Sequence, residues 1–312
     1  NKYSDLPYHY FVKESESDLL LKYDEKSQMI SAVVLKLSGE ENSLTGKLFD
    51  KIRAEIGRGL LERNVKFFPE KNVIKISEVI YPEDFEEESL IFDSPSKNDL
   101  YPGIVLLKNV IEKYFIERIK PLSEKIFPGK ISAELNTGSL IRNIFLHHAA
   151  HFTIPFQTEM KGEKSVYKGS DLKNLLLPAE EIRADLNYLT IISKMAGKEL
   201  LDEGVKEEVI YTFLLQKIDK IKNLKEENIN SPSLVLFNAL YKRGGIKMAK
   251  DGKKMVVDME LLIRNIKDLE SSFNDIVGKG IHGECKIFFQ KHMEIPENIK
   301  SIIEKKKPAS IE

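Results

Sequence analysis

The chain has 312 residues, enough for one large domain or two modest ones with a sizeable buried core. Its 48 Lys and Arg nearly cancel its 49 Asp and Glu, and the resulting net charge of −1 gives no electrostatic footprint for nucleic acid. With 42% hydrophobic and 31% charged residues the composition is that of a globular protein, and no apolar run approaches the roughly 20 residues of a bilayer span, which excludes a membrane protein. The single cysteine, Cys285, can form neither an internal disulfide nor a thiolate zinc cluster, so any metal would rely on His and carboxylate ligands. There are six histidines, and His147, His148 and His151 fall within one short stretch.

The start at Asn1, with neither Met nor a basic-then-apolar leader, reads as that of a processed or trimmed product, and a cytoplasmic location is the expectation. Ile30, Val33, Val34, Leu35 and Leu37 are β-rich, whereas Leu44, Leu48, Ile52, Ile56 and Leu60 recur at helical spacing. Residues 73–80 alternate as a strand does, and the acidic stretch Glu83 to Ser89 then breaks periodicity. Asp93 to Gly103 reads as a surface loop and the best boundary, which divides the chain into a mixed α/β amino-terminal part at 1–100 and a helical part at 101–312. Beyond it, Ile104, Leu107, Val110, Ile111, Tyr114, Phe115 and Ile119 predict a helix that Pro121 closes. Further helices are expected at 139–152, 178–196, 206–221, 231–243 and 259–277. A β-hairpin is expected near 246–257, where a turn containing Asp251-Gly252 separates Ile246 and Met248 from Met255 and Val257. The Lys305 to Lys307 triplet reads as a solvated tail. The fold class is therefore α+β, mainly helical.

On the helix at 139–152, His147 and His151 project about 40° apart and can hold one metal ion. Their i, i+4 spacing is that of H-E-x-x-H, in which the glutamate after the first histidine takes a proton from the attacking water. Here that position is His148, which lies about 60° beyond His151 on the same side. The third ligand is sought in Pro178-Ala179-Glu180-Glu181-Ile182-Arg183-Ala184-Asp185, where Pro178 suits a first helical turn and Glu181 and Asp185 share a face. Glu181 would ligate, and Asp185 would accept the free ring N–H of a ligating histidine. Glu180 points about 100° away and is the lesser candidate, a supporting residue only. Taken separately, a helical histidine is usually a packing or surface residue and a Glu-Glu-x-Arg-x-Asp run an exposed face of i, i+4 pairs.

Leu107-Lys108-Asn109-Val110, the histidine helix, and Glu180-Glu181-Ile182-Arg183-Ala184-Asp185-Leu186 together resemble the dipeptidyl-peptidase III family of zinc peptidases, most of all its shorter bacterial members and the peptidase portion of Nudix-fused relatives. Asn238-Ala239-Leu240-Tyr241, Gly244-Gly245-Ile246 and Val257-Asp258 fit the same pattern, so the likeness covers about residues 100 to 290. The resemblance implies zinc on His147, His151 and Glu181, a two-lobed architecture with a helical zinc lobe, and a cleft for an extended short peptide. Two departures stand out. His148 replaces the general-base glutamate, and the stretch aligned at Ile229 to Ser233 lacks the family's substrate-facing His and Arg.

Positioned acid–base catalysis contributes about 10² to 10⁴ in rate, and electrophilic partners about another 10² to 10³. The expectation is therefore a peptidase-like protein, a pseudoenzyme, with weak or lost hydrolysis and retained metal or peptide binding. The alternative is an active zinc-dependent dipeptidyl peptidase that uses His148 or another group as base, since a neutral imidazole can accept a proton near neutral pH. An iron site of two histidines and one carboxylate is disfavoured because both motifs read as helices. Cys285 near His282 lacks an orienting acid and reads as a structural thiol, with Lys279, Gly280 and Gly283 in a turn. His9 and His292 read as packing or surface histidines, and Tyr167 and Arg183 as either substrate contacts in the cleft or a surface hydroxyl and a helix salt bridge, between which the sequence does not distinguish.

Overall fold

A computed structural model describes residues 8–12, 17–24, 29–37, 74–79, 88–93, 103–153, 170–224, 231–250, 252–278 and 282–294, together with 51, 297, 299 and 300. The helix expected over 44–63, apart from Lys51, lies outside these residues. So do the loop residues 94–102, Tyr167, most of the 229–233 stretch before Ser231, and the lysine triplet. Contacts divide the chain into two units, one of Asn1–Glu117 with Leu140–Pro155 and one of Arg118–Ser139 with Phe156–Glu312.

The first unit is built on six strands, β1 (Tyr8–Val12), β2 (Ser17–Asp24), β3 (Met29–Leu37), β4 (Ile74–Val79), β5 (Ser89–Asp93) and β6 (Gly103–Leu107). They close into a barrel in the order β1-β2-β3-β4-β6-β5. The pairs are antiparallel except β4 with β6 and β1 with β5, which run parallel. The strands read from sequence at 30–37 and 73–80 are β3 and β4. The one expected helix from Ile104 to Ile119 is instead three elements in succession: β6, helix α1 (Lys108–Tyr114), and a π-helical turn at Phe115–Ile119. Ile104, Val105, Leu106 and Leu107 are all buried, and a strand covered on both faces is a continuous apolar run that periodicity cannot tell from a helix. Pro121 does not end the run. It sits in the first turn of α2 (Lys120–Ile126), where its missing N–H costs nothing. Asn109 of α1 accepts from the Val79 N–H at 3.1 Å and donates to the Val79 carbonyl at 2.6 Å, which satisfies both backbone groups at the end of β4.

Helix α4 (Thr137–Thr153) follows the short α3 (Gly129–Glu134). It buries Leu140, Ile141, Ile144, Phe145, Leu146, Ala149 and Ala150 and leaves the three histidines half-buried.

The second unit is helical. Helix α5 (Ser170–Gly197) starts well before Pro178, so Pro178 lies inside it rather than in its first turn. Helix α6 (Glu203–Lys222) begins at Asp202, whose carboxylate accepts from the Gly204 N–H at 2.7 Å. Helix α7 (Pro232–Lys242) leads through Gly244 (φ 87°) to the expected hairpin, β7 (Ile246–Met248) and β8 (Met255–Val257), which pairs Ile246 with Val257 and Met248 with Met255. Gly252 at φ 67° supplies the turn conformation that a side chain disfavours. Helix α8 (Met259–Gly278) buries Leu262, Ile266, Leu269 and Phe273 on one stripe. Helix α9 (His282–Lys291) includes Gly283, which is therefore helical and not part of a turn. Asn238 donates to the carbonyls of His292 (2.7 Å) and Glu294 (2.6 Å), fastening the chain after α9 to α7. Among the described residues no helix is long and apolar enough to cross a membrane. The architecture is α+β and mainly helical.

Two stability predictions follow from this packing. A Cβ on Gly245 would stand 2.7 Å from Leu262 Cα and 2.9 Å from its N. Gly245→Ala is thus expected to lower unfolding free energy by about 1–3 kcal/mol in urea denaturation, whereas Gly129→Ala, with nothing within 4 Å, leaves it unchanged. His292 is buried and its Nδ1 donates to the Phe288 carbonyl at 2.8 Å. Burial, with smaller contributions from Lys242, Lys291 and Arg243, holds its pKa below the ordinary 6.5. A depressed folded pKa means stability that is complete above about 6.5 and lost as pH falls through the folded value. In thermal melts from pH 7 downward, the wild-type chain should therefore lose more stability than His292→Gln.

Candidate metal centre

One turn of α4 brings His147 and His151 to the same side, with their Nε2 atoms 3.2 Å apart and their rings edge to face at a centroid distance of 4.8 Å. Two nitrogens on one tetrahedral zinc, each about 2.0–2.1 Å from the ion, stand about 3.3 Å apart, so the pair already has a ligand-like separation. Glu181 supplies the third donor. One ligand atom from each of His147, His151 and Glu181 lies within 4.8 Å of the others. Two imidazole nitrogens and a carboxylate oxygen are a donor set suited to zinc.

His148 is not in that group. Its Nε2 is hydrogen-bonded to Ser89 Oγ at 3.1 Å, at the start of β5, while its ring remains 5.4 Å from that of His147 and 6.4 Å from that of His151. The imidazole thus stands beside the histidine pair, with one nitrogen engaged by a hydroxyl on a strand. Ala149 and Ala150, both buried, permit close packing of the turn that carries the three rings.

The carboxylates of α5 have different partners. Glu180 holds Arg183 through two parallel bonds, Nε to Oε2 at 2.7 Å and Nη2 to Oε1, so it serves the i, i+3 pair and Arg183 is a helix salt bridge. Asp185 is buried and ion-paired through Oδ2 with Lys217 Nζ of α6. Lys217 is buried as well, over the face of Phe213 at 5.2 Å. Burial pushes its ammonium below the ordinary lysine value, and Asp185 and, more weakly, Glu181 pull it back up. Cys285 is also buried, and burial raises its thiol pKa, which suits a structural role.

Sequence reasoning missed Ser89 and Lys217. Ser89 gave no signal, being the last residue of an acidic stretch. Lys217 gave one: it lies on the apolar stripe of α6 with Ile210, Phe213 and Ile221, where a lysine needs a buried partner.

No family model matches the chain. Nudix hydrolase 3 of Arabidopsis thaliana is 23% identical over 212 residues, which cover 68% of this chain and 27% of that protein. The solved structure of DPP III from Caldithrix abyssi superposes with a TM-score of 0.72 at 16% identity, covering 94% of this chain and 59% of the other. That of dipeptidyl-peptidase III from Corallococcus sp. strain EGB gives 0.72 at 15%, covering 93% and 57%. The chain thus spans about a quarter of the curated relative and less than three fifths of the two solved chains. What it shares with the latter is the fold, which is that of dipeptidyl-peptidase III.

Proposed function

We propose that this chain is a divergent peptidase-like relative of dipeptidyl-peptidase III, of the short bacterial or Nudix-associated kind, that binds one divalent ion and short peptides but hydrolyses them weakly or not at all. The observation that carries the reading is the convergence of His147, His151 and Glu181 within 4.8 Å on a fold of that kind. Zinc suits two imidazoles and a carboxylate. When bound, such an ion would polarise a peptide carbonyl.

The chain's own groups account for the weakness. A base beside the histidine pair must take a proton from water, and a glutamate there would offer a carboxylate oxygen. His148 offers Nε2, which is already bonded to Ser89 Oγ. Bonded to Ser89, that nitrogen takes a proton from water only by giving the bond up, which forfeits part of the roughly 10² to 10⁴ that a well-placed base supplies. The second reading, an active dipeptidyl peptidase with His148 or another group as base, draws on the closeness of that ring to His147 and His151. If His148 serves, its acceptor is Nδ1, or Nε2 released from Ser89.

Dipeptidyl arylamide cleavage by the full chain with added zinc distinguishes the two. The wild-type protein should show weak turnover or none above buffer, and His148→Glu should raise hydrolysis by about 10²-fold or more over that level. Zinc-dependent wild-type turnover that a chelator abolishes and His148→Ala removes would overturn the first reading in favour of the second.

A further inference from the structure

Lys217 is an unusual neighbour for a cation site. It lies on the buried face of α6, its Nζ is paired with Asp185 Oδ2, and both side chains are buried. One turn back along α6, Phe213 packs edge to face on Tyr188, one turn forward of Asp185 on α5, at a centroid distance of 6.4 Å. The two contacts run in opposite directions along the helices, so α5 and α6 are antiparallel here and the pair is in register. The turn of α5 that precedes Asp185 carries Glu181 on the same face. Glu181 and Asp185 are thus like charges at i, i+4, an arrangement that disfavours a helix unless something offsets it. Buried ion pairs in general add little stability over apolar residues of the same volume, so stability alone does not account for a lysine there.

We propose that Lys217 is a positioning residue that acts as the built-in counter-ion of the Glu181–Asp185 face, standing in for a metal's charge when the site is empty and opposing cation binding when it fills. The proposal rests on the reading of His147, His151 and Glu181 as a metal site. Without a metal, the Lys217 ammonium offsets the two carboxylates and holds α5 against α6. With a metal, its positive charge lies in the low-dielectric interior on Asp185, one turn along α5 from Glu181, where repulsion of a dication is poorly screened. The site is thereby stable in both states and its affinity is set below what the three ligands alone would give.

The test is zinc affinity of the chelator-stripped full chain, measured by competition with a chromophoric chelator, beside thermal melting with and without zinc. Lys217→Gln, which keeps a hydrogen-bond donor for Asp185, should bind zinc at least about fivefold tighter than wild type. It should also melt lower when stripped and gain more on adding zinc. Lys217→Arg, which keeps the charge, should behave as wild type. Equal or weaker binding by folded Lys217→Gln overturns the proposal. Should that variant not fold, hydrogen exchange on the wild-type chain decides: protection of α5 around Glu181 to Asp185 should survive metal removal, and its loss overturns the proposal. Zinc binding that His147→Ala abolishes while Lys217→Gln leaves it unchanged sinks only the role of Lys217. Absence of zinc binding in the wild-type chain sinks the metal-site reading and this inference with it.

Discussion

Two imidazoles on one helical turn, with Nε2 atoms 3.2 Å apart, are the constraint around which the rest of the site is arranged. At that distance one nitrogen can donate to the other only if the second is unprotonated, and two protonated rings would repel. A cation that takes both lone pairs satisfies them together. Helix α4 anchors the arrangement, because Leu146, Ala149 and Ala150 beside the histidines are buried.

The carboxylate helix shows how a run of acids is divided among tasks. Glu180 is held by Arg183 in a two-point bond, and Asp185 is held by Lys217 across the α5–α6 packing. Glu181, between them in sequence, is the acid of the motif whose oxygen converges with the histidines. Asp185, expected from sequence to support a histidine, has in Lys217 a cationic partner that no spacing rule supplied. Its burial makes that ion pair costly to break from either side.

Local spacing made much of this legible. An i, i+4 pair of histidines and an i, i+4 pair of acids are helical facts, and the helices that carry them form where periodicity puts them. The hairpin at Ile246 to Val257 was legible for the same reason, since alternation and Asp251-Gly252 are local signals. The barrel was not. Strand β6 pairs parallel with β4, and its apolar run Gly103–Leu107 flows into α1 without a turn residue, so the 104, 107, 110, 111 spacing mimicked one helix. Pro178 misled in the same way, because tertiary packing carries α5 past a proline that local preference would place at a start. The Ser89–His148 bond joins residues 59 apart, and nothing local predicts it.

Under the proposed function, the consequence for chemistry is a separation of binding from turnover. The ligand triad is of a kind that holds zinc, while the position that should bear a proton acceptor holds an imidazole tied to a strand hydroxyl. The most direct measurement is metal analysis of the full chain purified without added metal and then equilibrated with zinc, with X-ray absorption at the zinc edge. The predicted result is about one tightly held zinc per chain with two imidazole ligands and oxygen donors, lost in His147→Ala and Glu181→Ala. No retained zinc after equilibration, or zinc held equally by those variants, would contradict it.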